Sequence, residues 1–192
     1  MKRATFILML ALLIPGSDNI KQLFLPNGLK LILKEDRTRP SIGLAVFYNV
    51  GSHDDPDGQK GMSALQSYII EESAHMGMSH NEFQSRILQI THNNRWDHRA
   101  DYLYFSYELH QTHLPEIIAL EASRLSMIKI DEELLTRAQD RMIDKGKNKY
   151  ASPAKLNTTY PEGHPYKTTT WGDSTHVREV TVESALDFRK RY

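Results

Sequence analysis

Apolar and polar positions alternate in short runs near the start of the chain, then give way to apolar spacings of three and four. Gln22-Leu23-Phe24-Leu25 and Leu29-Lys30-Leu31-Ile32-Leu33 flank Pro26-Asn27-Gly28. An Asn-Gly dipeptide between two β-prone runs predicts a hairpin, because both residues tolerate the positive φ of a tight turn. A further β-branched and aromatic run, Ser41 to Val50, ends in a polar loop of turn formers from Gly51 to Gly58. Leu65, Tyr68, Ile69 and Glu72 then fall at helical steps within Ser63 to Ser73, and a second helical stretch covers Asn81 to Ile90. Ala100 to Leu109, with Tyr102, Tyr104 and Tyr107, reads as a strand. Pro115 suits the first turn of the next helix, which continues through Ile117, Ile118, Leu125 and Ile128. Asp131 can cap another helix containing Leu134, Leu135, Ala138 and Met142. Strands first and helices later predict an α+β domain, with an antiparallel-rich mixed sheet packed by helices on one side.

The first segment does not fit this domain. Met1 to Ser17 reads as two cations, an apolar run from Ala4 to Ile14 and a Pro-Gly-Ser break. The run is short of the ~20 residues that span a bilayer, but suits the middle of a secretory signal. Residues 1–17 are therefore expected to be a signal peptide or an uncleaved anchor, and residues 18–192 the domain, exported to a periplasm or secreted. Composition narrows the chemistry. Lys plus Arg equals Asp plus Glu at 24 each, which gives no overall electrostatic footprint for nucleic acid. The absence of cysteine excludes disulfides, a thiol nucleophile and thiolate metal sites, so any metal would fall to the nine histidines and the carboxylates.

Leu25-Pro26-Asn27-Gly28-Leu29, Gly51-Ser52-His53-Asp54-Asp55, Gly58 and Gly61 resemble, in order and spacing, the insulinase/pitrilysin family of zinc metallopeptidases, which includes the mitochondrial processing peptidases. Asn93-Asn94-Arg95-Trp96 and Tyr104 sit where that family has an edge strand and a following aromatic. Leu120-Glu121-Ala122-Ser123-Arg124-Leu125, Gly163-His164-Pro165-Tyr166 and Phe188 to Tyr192 resemble three later family segments. The resemblance runs from about residue 22 to residue 192 and implies the family's N-terminal domain, ending short of its last strand.

In that family one helix carries two His a turn apart that bind zinc, with a Glu between them that polarises the metal-bound water. A third ligand, Glu, comes from a later helix. The resemblance places Ala64, Ser67 and Tyr68 at the first three positions and Asp144 or Lys145 at the fourth. Ala64 has no lone pair, Ser67 is no carboxylate base, and Tyr68 is a phenol with a reference pKa of about 10. Asp144 has the chemistry of a ligand and protonated Lys145 does not. No bound cofactor is expected, although the family would hold zinc.

Displaced metal ligands are the alternative. Glu71, Glu72 and His75 stand at helical spacings, but lack an identified further ligand and read more simply as a solvated helix end. His113-x-x-Glu116 mimics half of the family motif, with Ile117 where a second His would be needed, and His110 beside it reads as capping. His53, His80, His92, His98, His164 and His176 read as surface or loop groups. The resemblance also implies that an extended peptide adds to the edge strand at Asn94, through backbone pairing that needs no zinc. An ordinary edge strand guarded by Arg95, Asp97, His98 and Arg99 explains the same residues. The expected function is a non-catalytic homologue that partners a related peptidase subunit with an intact zinc motif, or binds peptide for it. An altered metallopeptidase, a structural interaction subunit and a gene remnant are the rivals.

Overall fold

The computed structural model describes residues 20–73, 75–126, 128–146, 160–161, 164–167 and 169–192. The expected signal segment and Gly163 lie outside the described residues. The chain divides into two units, residues 1–40 and 41–192.

In the first unit β1 (Ile20–Phe24) pairs antiparallel with β2 (Lys30–Lys34), Leu23 facing Leu31. The predicted Asn-Gly turn joins them. Gly28 takes φ +87°, its N–H donates to the Leu25 carbonyl at 2.8 Å, and the Asn27 side chain accepts from Leu29 N–H at 3.1 Å.

The second unit is built on a three-stranded antiparallel sheet, β3 (Ser41–Tyr48), β4 (Thr91–His98) and β5 (Leu103–His110), in the order β3-β5-β4. All described strand pairs are antiparallel. Alternation along β5 decides the layers: Leu103, Phe105, Tyr107 and Leu109 are buried, while Tyr104, Ser106 and Glu108 between them are only partly so. The buried face packs with Phe83, Ile87 and Ile90 of α2 (His80–Ile90) and Ile117 and Leu120 of α3 (Leu114–Ser126). Ser79 and Glu82 start α2 as a reciprocal cap, and Pro115 occupies the first turn of α3 as expected.

A second core joins α1 (Met62–Glu72) to α4 (Glu132–Gly146) through Leu65, Tyr68 and Ile69 against Leu134, Leu135, Ala138 and Met142. Asp131 caps α4 by accepting from Leu134 N–H at 2.9 Å. Two short helices, α5 (Ser174–Glu179) and α6 (Val182–Arg191), complete this core with Val177, Ala185 and Phe188. Buried glutamines tie them in. Gln66 donates to the Ala185 carbonyl at 2.8 Å, and Gln139 to those of Val177 and Val180 at 2.9 and 3.1 Å. Where α1 begins, Gly61 (φ +105°) lies against Gly172 (φ +66°), and Asp173 N–H donates to the Lys60 carbonyl at 3.1 Å. A Cβ on Gly172 would stand 2.2 Å from the Lys60 carbonyl oxygen, so the junction admits no side chain there.

Candidate functional site

Asp55, in the loop before α1, caps that helix. Its two carboxylate oxygens accept from Gly61 N–H and Ser63 N–H, each at 2.7 Å. Burial raises its pKa above the usual carboxylate value, against the pull of these two bonds. This cap holds α1 in place for the positions that follow.

Ala64, Ser67 and Tyr68 lie at helical steps that bring them to one face of α1, with Glu71 and Glu72 a turn further on. Ala64 and Ser67 have no exposed surface and Tyr68 has 2 %. The Ser67 hydroxyl donates to the Ala64 carbonyl at 2.6 Å, inside the helix. The Tyr68 ring stands edge-on to Trp96 of β4, centroids 5.1 Å apart, and tilted against Trp171 at 6.0 Å. His98 meets Trp171 edge-on at 5.6 Å and donates through Nε2 to the Thr170 carbonyl. Aromatic packing thus fills the space beside α1.

Register places Asn94 on this side of the sheet. Asn94 lies opposite Tyr107, Trp96 opposite Phe105 and His98 opposite Leu103, all three partners buried under the helices. Asn94, Trp96 and His98 therefore share the helix-side face, and Asn93, Arg95 and Asp97 take the other. Asn94 is exposed, and the outer edge of β4 carries no further strand among the described residues.

The last turn of α1 is ionic. Arg141 of α4 donates to Glu71 at 3.0 Å and to Glu72, each carboxylate side chain being only 10 % exposed. Burial works against the guanidinium charge, but the bond to Glu72 and the two carboxylate charges outweigh it and raise the arginine pKa. The final carbonyls of α1 also find partners: Ile69 accepts from the Ser73 hydroxyl at 2.5 Å, Ile70 from His75 Nε2 at 3.0 Å, and Glu71 from His80 Nδ1 at 2.7 Å.

Several expectations are corrected here. Glu71, Glu72 and His75 are not a solvated helix end: all three are buried, because Arg141 neutralises the carboxylates and a backbone carbonyl takes the imidazole. His75 packs its ring on Phe83 with centroids 4.6 Å apart, and its pKa is lowered, chiefly by burial. His98 is buried in β4 rather than a surface or loop group. Asp144 and Lys145 stand exposed near the end of α4, unlike the buried His75. Among the described residues no group of three or more His, Asp or Glu side chains is placed to hold a metal ion. The donor set on α1 does not fit zinc: Ala64 offers no lone pair, the Ser67 hydroxyl is committed to a carbonyl and Tyr68 is packed between indoles.

Other segments of the sequence resemblance have structural work of their own. Tyr107 donates to Glu121 at 2.5 Å, and Arg124 Nε lies 3.2 Å from the same carboxylate oxygen, with its guanidinium over the Phe83 and Phe105 rings at 4.8 and 4.6 Å. Burial raises the pKa of Glu121 and of the neighbouring phenols Tyr48 and Tyr107. His164 stacks on Tyr160, and Tyr166 donates to Asp101. Arg141 and Trp171 escaped the sequence reading, as did the role of Asp55 as the cap of α1. Arg141 had a signal: it shares the inward stripe of α4 with Ala138 and Met142, where an arginine needs a buried carboxylate.

The fold is that of insulinase-like, M16-type peptidase domains. The chain superposes on a protease from Helicobacter pylori with TM-score 0.82 at 16% identity, covering 91% of this chain and 44% of that one. It matches a peptidase M16 inactive domain from Pseudomonas fluorescens with TM-score 0.75 at 17% identity, covering 89% and 43%. The periplasmic protease PqqL from Escherichia coli matches with TM-score 0.76 at 12% identity, covering 95% and 21%. The chain spans less than half the length of each of these proteins. No protein-family model matches its sequence, and no curated protein does so either.

Proposed function

We propose that this chain is a non-catalytic homologue of the M16 peptidases, exported, which presents the β4 edge to extended peptide and works beside a related subunit with an intact zinc motif. The observation that carries this is the state of the α1 face: Ala64, Ser67 and Tyr68 are buried, Tyr68 against Trp96 and Trp171, with no carboxylate or imidazole among them. Hydrolysis at a zinc-bound water needs ligands and a base at such a place, and this chain supplies side-chain packing instead. Backbone pairing at β4 needs neither. Asn94 stands exposed on the helix-side face, two residues from the Trp96 that meets Tyr68. The inactive M16 domain and the periplasmic protease among the similar structures favour the non-catalytic and exported parts of the reading.

Elemental analysis and peptidase assay of the purified chain test it. The expected result is substoichiometric zinc, no turnover of unstructured peptide, and peptide binding that weakens on Asn94→Ala. Stoichiometric zinc that is lost on Asp144→Ala or His75→Ala, with turnover lost in parallel, would overturn it in favour of an altered metallopeptidase.

A further inference from the structure

We infer that Arg95 makes the β4 edge selective for extended peptides carrying an acidic side chain; the inference deepens the peptide-binding reading and rests on it. On the face of β4 away from the helices, Asn93, Arg95 and Asp97 stand opposite Glu108, Ser106 and Tyr104 of β5. The carboxylates beside Arg95 already have partners. Asp97 pairs with Arg99 at 2.5 Å, and Glu108 accepts from the Ser41 hydroxyl at 3.1 Å. Among the described residues no carboxylate lies within ion-pair distance of the Arg95 guanidinium, and the residue is exposed. Its backbone is held in place, since the Ser106 hydroxyl donates to the Arg95 carbonyl at 3.4 Å.

A strand added along the outer edge of β4 brings one side chain directly beside Arg95 on this face, about 5 Å away between Cβ atoms. A carboxylate there gains a partner that no carboxylate among the described residues holds in an ion pair, and a Lys or Arg there meets a like charge. Peptide backbone supplies the pairing and this single cross-strand contact supplies the preference. Asn94 reads the other face of the same peptide, so the two contacts are separable by mutation.

Selection of a phage-displayed random dodecapeptide library on the full chain and on its Arg95→Glu variant tests this. Wild type is expected to enrich peptides with Asp or Glu at one position, and Arg95→Glu to enrich Lys or Arg there. Replacing that acidic residue by Gln in an enriched peptide should weaken binding to wild type by about two- to fivefold, as expected of an exposed pair, and leave binding to Arg95→Gln unchanged. Enrichment without charge preference, or the same preference on both proteins, would overturn the role of Arg95 while leaving peptide binding standing. Failure of both proteins to enrich any peptide would overturn the peptide-binding reading itself. Arg95 is exposed, so a matching circular dichroism melt for the variants separates either result from unfolding.

Discussion

The middle and the last turn of α1 are one turn apart, face the same partner helix and solve burial in opposite ways. In the middle, Ala64, Ser67 and Tyr68 are packed without a charge, and Tyr68 leans on two indoles. At the end, Glu71 and Glu72 are almost as deeply placed yet ionic, held by Arg141, with His75 and His80 on the last carbonyls. The difference separates packing from electrostatics within one helix. Where the family resemblance leads one to expect imidazole ligands and a carboxylate base the chain has an alanine and two hydroxyl side chains, and its charges stand a turn further on, where the Arg141 guanidinium bridges α1 to α4.

The largest expected effect lies in the middle. Tyr68→Ala removes a ring that fills the space between Trp96, Trp171 and α4, and should cost about 3–5 kcal/mol in chemical denaturation. Tryptophan emission should shift to the red in the native state. A loss below about 1 kcal/mol would mean that the aromatic cluster is not what holds this region together. Arg141→Met comes next: it leaves two poorly hydrated carboxylates without a cation, at a cost of about 1–3 kcal/mol. The lower part of that range is expected, because the Arg141 side chain is 35 % exposed and water screens the pair. Adding Glu71→Gln and Glu72→Gln to Arg141→Met should restore most of the loss; no recovery would assign the effect to lost packing of the arginine stem.

The smallest effect sharpens the comparison through pH. His75 is held neutral, with a pKa below the usual 6.5 because of burial. The unfolded chain therefore binds a proton that the folded chain refuses as pH falls through 6.5, so stability contributed by this site is complete above that value and declines below it. His75→Gln keeps an N–H for the Ile70 carbonyl and should flatten that decline, seen as denaturation midpoints measured at about pH 7.5 and pH 5. Equal declines in both proteins would show that His75 does not titrate in the unfolding equilibrium.

Much of this architecture was legible in local sequence, because its signals act over a few residues. Asn27-Gly28 set the hairpin turn, Pro115 the start of α3, Asp131 the cap of α4, and the spacing of Leu65, Tyr68 and Ile69 the helix α1. The residue types on the α1 face are plain in the sequence itself, since no fold can give Ala64 a lone pair. What local pattern concealed was pairing across distance. Glu71, Glu72 and His75 look like a wet helix end until Arg141, from another helix, is placed on the two carboxylates and Phe83 of α2 on the imidazole. Asp55 looks like a loop turn former, and only the approach of Gly61 and Ser63 turns it into a helix cap. His98 looks exposed beside Arg99 until Thr170 and Trp171 cover it.

The Gly61–Gly172 junction sets a constraint on the order of events when the chain is made. The Lys60 carbonyl at the entrance to α1 receives the amide of Asp173, a residue synthesised after β1 to β5 and α1 to α4. Contacts between residues so far apart in sequence form late, because the intervening chain must first be brought together. During synthesis the start of α1 therefore has its cap from Asp55 but not its latch from Asp173. Final locking of the helix that bears Ala64, Ser67 and Tyr68 waits until the region of α5 emerges.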